Sequence, residues 1–464
     1  MTPRAPAAEK TIFGHPVGLA YLAFAEAWER FSYYGMLALL ALYTSQQLLF
    51  HPHVDHVLGF TAFRAALEGV FGPMTPVAMA TQIVGLYTAF VYATPILGGL
   101  LADRVLGRTK TVTIGACLMA LGHFLMAFDA SFLIALACLL VGVGCFKGNI
   151  ATQVGALYAP GDLRRADAFQ AFMLGIQVAV IISPLLCGWL AQTYGWHWGF
   201  GCAGVGMLIG LGVYLSGRKH LPPEPVIHRG SRTERPKLAP GELRTVAVLV
   251  ALLPVLALGA VGNQQMNNAY LIWGADNFQL MILGFHVPPS WLVSLDAFIS
   301  AFTMAGAVIF WRWYGTRWTE PNEITKLTIG VVISATAPLM LALAALHPAG
   351  QRASLWWGVA FHVINDIGFA NVLPVGLALF SRAAPKAIGG TMIAIYYLHL
   401  FACNYFVGWL GGFLDKTSGF NFWVMHAAIM AVSAALLLVA RAAAGRVLAP
   451  TLDPEANEGA LAAA

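Results

Sequence analysis

Apolar residues in this chain run in blocks of about 20 or more, parted by short clusters of glycine, proline and charge. Such a block is long enough to cross a hydrocarbon core roughly 30 Å thick as an α-helix. The pattern predicts twelve spans, beginning near residues 17, 80, 109, 131, 166, 197, 244, 290, 324, 353, 386 and 420. Two stretches break it. Residues 48–79 form a long loop in which Phe60 to Val70 keep helical apolar spacing, predicting a short interfacial helix. Residues 218–243, RKHLPPEPVIHRGSRTERPKLAPGEL, are the only long polar run and divide the spans six and six. The predicted domains are therefore 1–217, a six-helix bundle; 218–243, a basic linker; and 244–464, a second bundle with a short tail.

Composition agrees. Of 464 residues 59% are hydrophobic and 10% charged, against roughly 25% charged in a soluble domain, so a soluble globular protein is excluded. Outside the spans, Arg64, Arg352 and Lys416 fall in loops of one parity and the remaining basic residues in the other. Positive charge stays in the cytoplasm, which places both termini and the linker there, in the inner (plasma) membrane. No cleavable signal peptide is expected, because residues 1–18 are polar and the first apolar block holds Glu26, Glu29 and Arg30. The formal charge of +5 is spread over loops and suggests a lipid-bilayer partner and no nucleic acid. Cys117, Cys138, Cys145, Cys187, Cys202 and Cys403 all lie in apolar blocks without metal-ligand spacing. His51, His53, Asp55 and His56 crowd one loop but lack the spacing of a structural zinc site, so no metal is expected.

Ionisable groups inside spans cost at least a few kcal/mol at the bilayer centre, so they should face a cavity or each other. At 100° per residue Glu26, Arg30, Tyr33 and Leu37 share one stripe of the first span, with Glu29 about 60° aside. Two carboxylates against one guanidinium leave a surplus acid that can bind a proton; the alternative is an ion pair that only anchors the fold. Lys147, inside the fourth span, either meets that surplus acid or snorkels to the interface. Asn263, Gln264, Gln265, Asn267 and Asn268 crowd the seventh span, lining a wet cavity or bonding helix to helix.

The run AEAWERFSYYG, Ala25 to Gly35, resembles the first-helix signature Glu-x-x-Glu-Arg-Phe-x-Tyr-Tyr-Gly of the proton-dependent oligopeptide transporter family, within the major facilitator superfamily. GGLLADRVLGR (98–108), GVGCFKGN (142–149), WHWGFGCAGVGM in the sixth span, and Ala384 to Lys386 with Asn404 and Gly408 are similar to other family segments. The resemblance implies an all-α major facilitator fold of twelve transmembrane helices in two six-helix bundles. It also implies a symporter, not an enzyme, that imports di- and tripeptides with protons by alternating access, needing no cofactor beyond the proton gradient and working as a monomer. By position it implies proton coupling through Glu26, Glu29, Arg30 and Lys147, a pocket including Tyr33 and Tyr34, and a conformational loop clamp at Asp103 and Arg104.

Several family positions differ. The glutamate usual in the tenth helix is Phe369, the fifth helix carries Gln177, the Asn-Pro opening the eighth is Asp296-Ala297, and an arginine following Tyr-Tyr-Gly is Leu37. Gln177, Gln265, Asn268 and Asp366, with Arg30, Tyr33, Tyr34 and Lys147, are therefore the expected substrate-binding set. Asp366, three residues before Phe369, either supplies the missing negative charge or is simply hydrated near a helix end. The changes leave room for a different small organic solute. They also leave, in other classes, a membrane-embedded enzyme built on His362 and Asp366 or Lys147, and a sensor that binds without transporting.

Overall fold

In a computed structural model, residues 11–159, 162, 164–224, 238, 240–282, 284–348, 350–385 and 388–448 are described. Most of the expected linker, Lys386 and both chain ends lie outside them.

The first half comprises α1 (Val17–Tyr43), the loop helix α2 (Phe60–Phe71), α3 (Pro76–Leu101), α4 (Arg108–Leu125), α5 (Phe132–Ala156), α6 (Arg164–Tyr194) and α7 (Trp196–Ser216). The second comprises α8 (Pro240–Gly259), α9 (Val261–Gln265), α10 (Ala269–Asn277), α11 (Trp291–Gly315), α12 (Glu323–Ala344), α13 (Trp356–Phe369), α14 (Leu373–Ala383), α15 (Gly389–Gly411) and α16 (Gly419–Leu448). Among the described residues ten helices are long and apolar enough to cross a membrane. Two further spans complete the twelve: α1, which carries three charged residues, and α4, which opens on Arg108 and Lys110. The interfacial helix expected at 60–70 is α2, with only Phe60 buried.

Starts follow local chemistry. Thr75 caps α3, its hydroxyl accepting the Ala78 amide at 3.1 Å, with Pro76 in the first turn where no amide partner is missed. Asn322 caps α12 in the same way. The seventh and tenth spans are interrupted. Three helices, α8 to α10, make up one; α13 and α14 make up the other, and the break at Ala370–Val372 precedes Pro374 in the first turn of α14. Interrupted helices at mid-membrane leave backbone and amide groups free only where they face a cavity or protein.

The buried clusters follow the halves except where α1 and α10 cross between them, Ile272 packing in the first and Ala38 and Leu42 in the second. Phe132, Phe146, Phe200 and Tyr214 centre one; Tyr270, Phe361 and Trp423 centre another, with Phe380 and Tyr396 nearer the chain ends. Within the first half α3 crosses α5 so closely that a Cβ on Gly98 would lie 1.9 Å from the Gly144 carbonyl oxygen.

The halves touch toward the face that carries the 48–75 loop, here the loop face. A Cβ on Gly85 would lie 2.4 Å from the Gly408 Cα; Asn268 Nδ2 donates to the Thr81 carbonyl at 3.0 Å, and Trp291 Nε1 to that of Leu185 at 3.0 Å. Toward the opposite face, where both described ends lie, α11 buries nothing beyond Ala297, and Met173 and Leu174 of α6 are exposed.

Candidate functional site

Between the halves lies a cavity of about 200 Å³. From the first half its wall holds Tyr33, Tyr34, Leu37, Tyr92 and Gln177; from the second, Asn263, Gln264, Asn267, Asp296, Phe369 and Asn404. The expected Tyr33, Tyr34 and Gln177 are thus brought together, and the positions that depart from the family pattern, Leu37, Asp296 and Phe369, all face the same space.

Behind the tyrosines stands the charged cluster of α1. Arg30 grips Glu29 with two nitrogens, Nη2 meeting Oε1 at 2.6 Å while Nε meets Oε2. Its Nε is also 3.4 Å from Glu26 Oε1. Residues i and i+1 do not face each other on a helix, so the stripe did not single out Glu29; the long arginine folds back to reach it. Glu26 Oε2 is buried without a hydrogen-bond partner among the described residues. The Arg30 guanidinium carbon lies 5.1 Å from the centre of the Tyr33 ring, which connects the cluster to the cavity wall.

Lys147, Gln265, Asn268 and Asp366 are not on the cavity wall. Lys147 meets no carboxylate at salt-bridge distance among the described residues; its Nζ lies 5.1 Å from the Tyr92 ring centre, because both glutamates turn to the guanidinium. Gln265 is buried away from the cavity, 2.9 Å from His426 Nε2. Asn268 is spent on Thr81. Amides occupy so much of that helix circumference that sequence spacing could not choose the inward ones, which are Asn263, Gln264 and Asn267. Asp366 is also absent from the wall. Its three-residue offset turns it about 60° from Phe369, into the bundle, where Asn365 Nδ2 donates to Oδ1 at 3.1 Å and Oδ2 has no partner among the described residues.

The acid at the wall is instead Asp296, held by His362 Nδ1 at 2.8 Å. The sequence marked both residues but did not join them, since 66 positions separate them. Asn404 Nδ2 donates to Gln264 Oε1 at 3.0 Å, tying α15 to α9 across the same wall.

At the terminal face, Asp103 is 3.6 Å from Arg108 Nη2, while Arg104 is exposed. A group that sequence reading missed completes this loop. Glu224, at the start of the linker, accepts the backbone amides of Arg108 at 2.9 Å and Thr109 at 2.6 Å, capping α4 from 115 residues away. Partial burial alone would lift the Glu224 carboxyl, but the Thr109 side chain, those amides and the Arg108 charge outweigh it and hold the carboxyl below its ordinary range. In the 48–75 loop, His51 meets Asp55 and His53 meets Asp129, each at 2.6 Å.

The sequence profile described as the POT family matches residues 109–234 and 236–424. A peptide transporter of Yersinia enterocolitica is 28% identical, covering 87% of this chain and 89% of that protein. A di-/tripeptide transporter of Lactococcus lactis is 30% identical over 84% of this chain and 88% of its own. Among solved structures, a peptide transporter POT in complex with sulfate superposes with a TM-score of 0.82 at 25% identity, covering 95% of this chain and 97% of that one. A mutant of a peptide transporter POT in complex with alafosfalin has a TM-score of 0.79 at 26% identity, covering 95% and 96%.

Proposed function

The chain belongs to the POT family, a multi-pass membrane transporter rather than an enzyme, and from that premise we propose that it imports di- and tripeptides or peptide-like solutes together with protons. In this reading the chain works as a monomer in the inner membrane with both termini cytoplasmic, so that the structure is closed outside and open inside. The bundles 1–217 and 244–464 rock about the central cavity, joined by the 218–243 linker.

One observation carries the proton part. Glu26 and Glu29 share Arg30, and Glu26 Oε2 is buried with no donor among the described residues. A second buried negative charge beside a guanidinium already gripped by Glu29 is costly, and a proton on Glu26 removes it. Tyr33 places that proton next to the solute, so loading one side alters the electrostatics of the other. Lys147, resting on Tyr92, is within electrostatic reach of both acids and takes up the negative charge when the proton leaves. Asp103 and Arg104, with Arg108, hold the terminal-face loop in one of the two arrangements.

The test is uptake of alanyl peptides into proteoliposomes under an imposed proton gradient. Glu26→Gln and Glu29→Gln are each expected to abolish gradient-driven accumulation while leaving exchange of peptide for peptide measurable. If both variants concentrate peptide as the parent does, the assignment is wrong. A different small organic solute is the second reading, favoured by Phe369, Leu37 and Gln177 standing together in the cavity wall; a solute screen in the same vesicles separates the two. Binding without uptake would identify a sensor.

A further inference from the structure

His362 is wholly buried and sits in a chain of three polar groups. Its Nδ1 is 2.8 Å from Asp296 Oδ1, and its Nε2 is 2.9 Å from the Tyr270 hydroxyl. At the other end of the chain Asp296 opens on the cavity. On the helix of His362, Asp366 lies one turn away and within electrostatic reach of Asp296. From α1, Tyr34 is the titratable group near Asp296. From α12, Ser334 bonds the Asn365 carbonyl. From α16 come Trp423, against Tyr270, and His426, which is engaged by Gln265 and the Phe422 carbonyl. Among the described residues no lysine or arginine lies at salt-bridge distance from either carboxylate.

The geometry suits a proton that comes and goes. A neutral imidazole offers one donor and one acceptor, an imidazolium two donors. In the imidazolium Nδ1 donates to Asp296 and Nε2 to the Tyr270 oxygen, and the Nδ1 proton is the one with a way out, through Asp296 to the cavity. When that proton goes, Nε2 keeps its donation to Tyr270 and Nδ1 becomes an acceptor that an ammonium can serve, so no heavy atom of the pair has to move.

We propose that Asp296 and His362 form a second proton-binding pair, in the C-terminal helices, and that a protonated amine on the solute competes with the imidazolium for the Asp296 carboxylate. The exchange balances: the ammonium docks against Asp296 in place of the Nδ1–H, that proton passes by way of the carboxylate to a cavity water, and one N–H bond breaks as one O–H bond forms. Charge beside Asp296 is conserved, which a buried site favours. The pair thereby both selects amines and reports their arrival, while the Glu26 cluster serves the other half. This rests on the peptide reading above.

Binding of alanyl-alanine and of its N-acetylated analogue to purified protein, between about pH 5 and 7.5, tests it; the range stays below the peptide amine's own titration near 8. Groups that act on both ligands, Glu26 and Glu29 included, cancel in the ratio of the two affinities. The preference for the free amine is expected to rise with pH by about tenfold or more. His362→Gln should flatten the rise, Asp296→Asn should remove the preference, and Tyr270→Phe, which keeps the ring, should displace the pH at which the rise occurs. A ratio independent of pH in the parent, or a rise that survives His362→Gln, overturns the pair alone. Failure to bind either peptide at any pH overturns the peptide reading and the pair with it.

Discussion

Arg30 is the residue on which the charges of the first half converge. Its guanidinium presents a planar fork, and the structure uses both prongs on Glu29 while Nε also faces Glu26. A lysine has the same charge but a single rotatable ammonium, so it can neutralise one carboxylate and cannot hold both in register. Arg30→Lys should therefore preserve net charge yet lower gradient-driven uptake by about tenfold or more, one lost charge-assisted bond being worth at least about 1.4 kcal/mol. Uptake equal to the parent's would show that charge alone matters there. The sequence exposed this cluster because three ionisable groups within five residues of a membrane span stand out against an apolar background. It could not show which carboxylate Arg30 prefers, because that depends on how the arginine chain packs.

At the scale of elements, the terminal end of α4 depends on a partner distant in sequence. Its first amides have no intrahelical acceptor, and Gly107, at φ 81°, offers no side chain to cap them. Glu224 supplies the carboxylate, which also suits the positive end of the helix dipole. Glu224→Ala is expected to lower the unfolding temperature by about 1 to 2 °C, the usual worth of one cap in a chain this long. The sign of the pH effect follows from the depressed carboxyl. The capping contribution is complete above the ordinary glutamate value of about 4.3 and is lost as pH falls through the lower folded-state value. Thermal melts of parent and variant should thus differ at neutral pH and converge on acidification; a constant difference would mean that the glutamate acts through packing.

For the whole molecule, the informative contact is the one where α3 and α15 pass backbone to backbone. Any side chain at Gly85 enters the Gly408 backbone, which cannot yield as a flexible side chain could. Gly85→Val should therefore oppose the joined loop face without disturbing either core. Overpacking of this kind costs about 1 to 3 kcal/mol, enough to shift a two-state balance by about five- to 150-fold. Uptake should fall accordingly while thermal unfolding remains cooperative. Undiminished transport by the valine variant would place the alternation at some other contact.

Span count and the charged cluster of α1 were legible in the sequence because each is a local property: twenty apolar residues either are or are not contiguous, and a charge among them is conspicuous. The family signature from Glu26 to Gly35 was legible for the same reason. What required tertiary structure was every choice among equivalent candidates. Five amides around the seventh span carry no phase of their own, and only packing turned Asn263, Gln264 and Asn267 inward and Gln265 and Asn268 away. Asp366 and Asp296 were both visible as acids, yet the 60° offset of one and the distant His362 beside the other decided which reached the cavity. Glu224 looked like one more charge in a polar run until the fold brought it to α4. Periodicity records which residues share a face of one helix; which face meets the cavity depends on how all twelve spans fill space together, and no single segment contains that information.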